Sequence, residues 1–462
     1  MRLGRRIALG AATGVLAGLI TGLGLIAATG AATARGLGAA ASDPGGLIDA
    51  THLPPLLTLP GEPVTLRYDV YCAPPGPDPE SGAPCDAAGT VFVRRGNAGQ
   101  FQPLPLRVDP GAGEGRLVTD VPGDVAEAGF SYYAVLQSRT SGAATMLPAG
   151  GPLAPMRSRV LEAPVVVELG THVFGKLRHP SARVAWAGWG AAAGQVGLEQ
   201  GPQLQPIGGA SFDIGPGGLV SVLDEANRRV LRFAPGRAAP SAVSLGVRGT
   251  IADLAVGQDG GMTVLETVGD AGQTPLVRRF DASGRSLGAT HVAETASAVD
   301  LGDEGPVVLG YPGGEWLPVT ERGAALPESA QRRGGRPGRR LANGDELVVE
   351  REGGEARIAE IGPAGLRRSW RILSDTPLGE VQLAKPVGAD LVVVLRVAVD
   401  SHDEFEVLLL DGRGVVAQFA VAATAWAETA PLARFRLRGT SLYELGSTPA
   451  GVFVDRYDVE PR

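Results

Sequence analysis

From Ser211 to Phe233 the chain reads SFDIGPGGLVSVLDEANRRVLRF, two short runs of alternating apolar and polar residues separated by a glycine-rich turn. Period-two alternation bounded by Gly, Pro and Asp is the signature of half-buried strands. The same plan returns downstream as ADLAVGQDGGMTVLET, VDLGDEGPVVLGY, RRLANGDELVVERE, VQLAKPVGADLVVVLRV and FRLRGTSLYELGSTPAGVFV. Each unit has a short strand, a Gly-containing turn, an apolar strand, a second turn and an amphipathic strand, and several add a fourth. Anchoring each unit on the residue before its first Leu or Ile gives Asp213, Asp253, Asp300, Arg340, Gln382 and Arg436, separated by 40, 47, 40, 42 and 54 residues. Four strands repeating at that period predict a β-propeller, and six units predict six blades over residues 202–462.

Upstream, residues 43–160 carry VTLRYDVYC, TVFVRRG, RLVTDVP and FSYYAVLQS, short strand-like runs between turn residues. They predict a β-sandwich, so the fold class is all-β, sandwich then propeller. The fragment Phe130 to Leu136 resembles a late strand of immunoglobulin-like or fibronectin type III-like modules. Residues 161–201 read as a linker with one strand, APVVVELG, and a glycine-rich stretch, VAWAGWGAAAGQVG.

The first 41 residues have a basic start, an apolar stretch and small residues at the end, the order of a secretory signal. Ala32–Ala34 and Ala39–Ala41 both suit cleavage. The uncharged run Ile7 to Ala28 is also long enough to cross a bilayer, and Gly10, Gly14, Gly18 and Gly22 fall on one helical face. A cleaved signal and a retained membrane anchor through residues 7–28 therefore stay open. With Arg2, Arg5 and Arg6 on the cytoplasmic side, either one places the folded domains outside the cytoplasm, secreted or membrane-attached.

Charge removes one class of partner. The net charge is −7, and loss of the first 41 residues, with four arginines and no acid, takes it to −11. A chain this acidic lacks the basic footprint of a nucleic-acid binder. Cys72 and Cys85 are the only cysteines, and in an exported chain they are expected to form a disulfide. Closing a loop of that size contributes about 3 kcal/mol on the chain-entropy account.

The stretch SVLDEANRRVLRF, Ser221 to Phe233, resembles the NHL repeat, with Asp224, Asn227 and Arg229 at its Asp, Asn and Arg positions. The second unit has Glu266 at the Asp position and no Asn-Arg pair. The resemblance implies a six-bladed propeller and a structural role for the three residues in tying the turn. Propellers of that type include binding platforms, lactone hydrolases and lyases, so it does not choose among functions.

The six anchors are the candidate ligand-binding ring. Asp213, Asp253 and Asp300 make an acidic arc that could take calcium or a cationic ligand. Alternatively, Asp300 pairs with Arg340, Arg436 with Asp213, and Asp253 accepts backbone hydrogen bonds, since buried charges are normally paired. The mixed carboxylate and asparagine set of calcium-dependent lactonases is not matched, because Asn97, Asn227 and Asn343 all lie off the ring. GRSLG, Gly284 to Gly288, fits a nucleophile elbow in letters only, and its strand-flanked context predicts a hairpin turn. DSHDEFE, Asp400 to Glu406, reads as a solvated turn, and the arginine-rich Arg322 to Arg340 as a mobile loop able to attract anions. His52, His172, His179, His291 and His402 show no ligand spacing. Two function classes follow: an exported non-catalytic binding or scaffold protein engaging a protein or cell-surface polymer without a cofactor, or a calcium-dependent lactonase-like hydrolase or lyase working in the channel.

Overall fold

The computed structural model describes residues 47–73, 82–201, 205–247, 249–267, 274–292, 296–302, 304–310, 315–333, 336–352, 354–423, 425–430 and 432–459. The signal, anchor and cleavage-site readings lie outside the described residues, as does most of the proline-rich loop between the cysteines. Among the described residues no helix is long and apolar enough to cross a membrane. The chain is all-β and divides into two compact units, Met1–Pro54 with Gly61–Ser158, and Pro55–Pro60 with Arg159–Arg462.

The first unit is a β-sandwich. One sheet runs Leu47–Thr51, Val64–Ala73, Arg116–Val121 and Arg107–Val108, and the other is built on Phe130–Ser138 and Ala87–Arg95. VTLRYDVYCA buries alternate residues, so Val64, Leu66, Tyr68 and Val70 meet Val91, Val93, Tyr132 and Leu136 from the facing sheet. Cys72 and Cys85 are disulfide-bonded with Cα atoms 5.7 Å apart. Such a bond belongs to oxidising compartments and points outside the cytoplasm.

The second unit is a β-propeller. Its first sheet is Ser211–Ile214, Val220–Asp224, Arg229–Phe233 and Ser241–Ser244, each strand antiparallel to the next. The second sheet runs likewise from Thr250–Val256 to Ser286–His291, and the third has Ala296–Gly302, Gly305–Gly310 and Glu315–Pro318. The fourth runs from Arg339–Arg340 to Gly365–Leu373, and the fifth from Leu378–Val387 to Val415–Ala422. The sixth has Phe435–Arg438, Ser441–Thr448 and Gly451–Asp458, and Ala182–Gly188 completes it from upstream of the first sheet. That borrowed strand ties the two ends of the ring together. Residues 161–201 thus supply strands to the propeller itself, since Val165–Glu168 also adds parallel to the outer edge of the fourth sheet.

Apolar packing joins the sheets unevenly. Ala185 and Val452 meet Phe212 and Ile214 between sheets six and one. Leu223 and Val230 meet Ile251 and Leu254 between one and two, and Ala255 and Leu265 meet Val299 and Val308 between two and three. Trp370 and Ala356 meet Leu391 and Val393 between four and five, and Phe405 meets Phe435 and Tyr457 between five and six. Among the described residues no such cluster spans sheets three and four.

Candidate functional site

All six anchor residues lie on the innermost strands of their sheets, but only four of their side chains come together. Asp213 is buried, and its Oδ1 accepts the Ile214 N–H at 2.8 Å. Its Oδ2 accepts the Val256 N–H of the second sheet at 2.8 Å and Arg438 Nη2 of the sixth at 2.9 Å. Asp253 repeats the pattern one sheet on. Its Oδ1 accepts the Leu254 N–H at 2.9 Å and the Ser211 hydroxyl at 2.6 Å, while Oδ2 accepts the Val299 N–H of the third sheet at 2.9 Å. Arg436 Nη2 reaches Asp253 Oδ1 at 2.9 Å, so the sixth sheet meets the second past the first. Burial pushes the Asp253 carboxyl up, and Arg436, Ser211 and the two amides act against that rise.

Asp300 takes its donors differently. Its Oδ1 accepts the Leu301 N–H at 2.8 Å, while Oδ2 sits 2.8 Å from Arg339 Nη2 and 3.7 Å from Lys385 Nζ. Burial alone would raise this carboxyl, but Lys385, Arg339, the Leu301 amide and Arg436 together hold it well below the usual carboxylate range. Lys385 is lowered to about 8, chiefly by burial, against the pull of Asp300 and with further lowering from Arg339 and Arg436.

The expected ion pairs therefore change partners. Arg436 pairs with Asp253 rather than Asp213, and Asp213 pairs with Arg438. Arg340 is exposed and binds Glu304 at 3.0 Å, while its neighbour Arg339 takes Asp300. Adjacent residues of a strand face opposite ways, so a one-residue slip in the anchor exchanges the two arginines. Gln382 donates to Glu380 instead of joining the cluster. Irregular pairing near Val381 displaces the register of Leu378–Val387, and Lys385 takes the inward position. The ring reads Asp213, Asp253, Asp300, Arg339, Lys385, Arg436, with carboxylates on three consecutive sheets and cations on the other three. Lys385 carried a usable signal, being one of two lysines among 42 basic residues.

Calcium does not fit this donor set. Every carboxylate oxygen of the three aspartates is already engaged by an N–H, a hydroxyl or a guanidinium, and four cations stand among them. Calcium takes six to eight oxygen ligands, several of them normally carboxylate oxygens free of other partners. Among the described residues no group of three or more His, Cys, Asp or Glu could hold a metal ion.

Away from the ring, Asp224 accepts the Gly197 N–H at 2.8 Å and binds the Asn227 amide and Arg229 Nε at 2.8 Å each. Arg229 in turn donates to the carbonyls of Ala192 and Gln195. The triad ties its turn and also pins the glycine-rich stretch before the first sheet. In the second sheet Glu266 does the same with the Gly249 N–H and Arg278.

DSHDEFE is not a solvated turn: His402–Leu410 is a strand, and Glu404 and Glu406 are buried. His172 lies between them, with Nε2 2.8 Å from Glu404 and Nδ1 2.6 Å from Glu406. Burial raises the Glu406 carboxyl, while Gln418 and His172 lower it. His52 is a core residue, with Nδ1 2.6 Å from the Arg67 carbonyl and Nε2 2.7 Å from the Tyr132 hydroxyl, and burial lowers it to about 4. GRSLG leads from Leu276–Phe280 into the antiparallel Ser286–His291, as a hairpin turn does. The arginine-rich segment is not a bare loop, for it folds into the pair Thr320–Glu321 and Ala324–Ala325 and the helix Glu328–Arg333. Gln331 of that helix is buried and donates to the carbonyls of His291 and Leu326. A pocket of about 640 Å³ beside the fourth sheet is lined by Glu168, Glu352, Glu355, Arg357, Arg371 and Asp375, with Glu355 clamped between the two arginines.

No protein-family model matches the chain, and no curated protein matches it. Among solved structures, virginiamycin B lyase from Staphylococcus aureus is similar at 11% identity and a TM-score of 0.33, over 70% of this chain and 90% of that one. AztD from Citrobacter koseri is similar at 13% identity and a TM-score of 0.28, over 81% and 92%. YCF48 bound to a D1 peptide is similar at 11% identity and a TM-score of 0.30, over 63% and 99%. Likenesses this distant assign no activity or partner to the chain, and the architecture stands on its own strand pairing.

Proposed function

We propose that this chain is an exported, non-catalytic binding or scaffold protein. In this reading an immunoglobulin-like sandwich precedes a six-bladed propeller of the NHL type, which presents its surface to a protein or cell-surface polymer. One observation carries the reading. The three aspartates of the inner strands are engaged with arginines and with backbone amides, in contacts such as Arg436 to Asp253 and Arg438 to Asp213. Such pairs hold sheets together and leave the aspartates no open valence for metal or for proton transfer. The calcium-dependent hydrolase reading is disfavoured by the same contacts. A protein or polymer partner then meets the outer surfaces, where Trp186 on the borrowed strand of the sixth sheet is 53% exposed. Large exposed aromatic side chains are frequent anchors of binding surfaces.

The reading is tested with a photo-cross-linking residue at position 186 and, as a control, at buried position 370, in cells that produce the protein. A single adduct of defined mass from position 186 alone supports it. Equal labelling from both positions, or a calcium-dependent rise in melting temperature accompanied by lactone hydrolysis, overturns it.

A further inference from the structure

At the join between sheets three and four, one carboxylate faces two cations. Asp300 Oδ2 pairs with Arg339 Nη2 at 2.8 Å, and Lys385 Nζ stands 3.7 Å away, beyond hydrogen-bond distance. The other two aspartates have one cation each, Arg438 on Asp213 and Arg436 on Asp253. Three carboxylates against four cations leave one positive charge over, and it falls at Lys385. The side chains of Asp300, Arg339 and Lys385 are 24%, 23% and 21% exposed, so the group is sheltered yet open to water. A sheltered ammonium with three donors requires acceptors, and Asp300 is already taken by Arg339 and the Leu301 amide.

We propose that Lys385 and Arg339 hold an oxyanion, the carboxylate or phosphate group of a ligand entering the centre of the propeller. Arginine offers a planar fork and lysine a point charge, the pairing that oxyanion sites use. The lowered pKa of Lys385 agrees, since burial and the neighbouring cations Arg339 and Arg436 disfavour its charge until an anion arrives. The inference goes beyond the scaffold reading and stands on this contact set alone.

Lys176, which is exposed, and Lys385 are the only lysines, so amine acylation reads the site directly. The intact folded chain is treated at pH 8 with a limiting N-hydroxysuccinimide ester, and labelling is followed by peptide mass spectrometry. Inorganic phosphate and sodium acetate are titrated separately at constant ionic strength. At about ten times the dissociation constant, bound anion should slow Lys385 labelling about tenfold and leave Lys176 unchanged. Protection by phosphate alone assigns a phosphate group, and equal protection by acetate assigns a carboxylate. Arg339→Gln, checked for folding by circular dichroism, should abolish the protection. A Lys385 rate indifferent to both anions, a Lys385 that never labels, or protection that survives Arg339→Gln overturns the site.

Discussion

Asp253 and Asp300 occupy equivalent places on the inner strands of neighbouring sheets, and each accepts the N–H of the next residue through Oδ1. Beyond that they part. Asp253 is 1% exposed and lies where Ala255, Leu265, Val299 and Val308 pack two sheets together. Its second oxygen takes a backbone N–H from the adjoining sheet, and a single arginine neutralises it. Asp300 lies where no apolar cluster among the described residues spans the two sheets, and its second oxygen faces two cations. Burial wins at the first carboxyl and pushes it up, whereas at the second burial is outweighed by the cations and the Leu301 amide together, which hold it down. Where apolar area already joins two sheets, the carboxylate acts as a locked hub of hydrogen bonds. Where it does not, charge does the joining, and the group stays open to water.

The largest effect should come from the hub. Asp253→Ala leaves Arg436, the Ser211 hydroxyl and two amides without their acceptor, and breaking a buried pair from one side costs about 3–5 kcal/mol. Urea denaturation of wild type and variant reads it directly, and an unchanged midpoint would erase the distinction.

Lys385 should sharpen the contrast in alkali. Its folded pKa of about 8 lies below the unfolded value of about 10.4, so between these the unfolded chain binds more protons and stability rises with pH. The wild type should gain about 2–3 kcal/mol relative to Lys385→Met between pH 7.5 and 10.5. Parallel pH profiles of the two proteins would mean that the ammonium is not sheltered.

Asp300→Asn should cost less than the hub, about 1–2 kcal/mol at pH 7, because the group is partly solvated. A carboxyl held below its unfolded value of about 3.9 stabilises fully above that pH and loses its contribution as pH falls through the folded value. The Asp300→Asn deficit should therefore shrink below about pH 4, and a deficit constant from pH 7 to 3 would remove the ion pair from the account. Smallest of all, Arg340→Ala and Gln382→Ala should each stay within about 0.5 kcal/mol of wild type, as substitutions at solvated positions do.

Much of this architecture is legible in local pattern. Six runs such as SFDI and TIADLAV have the alternation of inner strands, and each anchor does lie on one. Side-chain direction is less legible. Arg340 for Arg339 is a slip of one residue, and Gln382 for Lys385 is the consequence of an irregular strand whose pairing no run of letters displays. Long-range partners are hardest to see. The strand Ala182–Gly188 pairs with Gly451–Asp458 across the whole propeller, and His172 meets Glu404 across 232 residues. Asp224, Asn227 and Arg229 are the opposite case, because their contacts to one another close within a single turn.

The claim that charges from non-adjacent sheets lock the ring together is tested most directly by a double-mutant cycle on Asp253→Asn and Arg436→Met, the pair that links the second sheet to the sixth past the first. Unfolding free energies of the wild type, the two single variants and the double variant should give a coupling of about 2 kcal/mol or more. A coupling within about 0.5 kcal/mol of zero would mean that the two residues are independent, and would contradict the account.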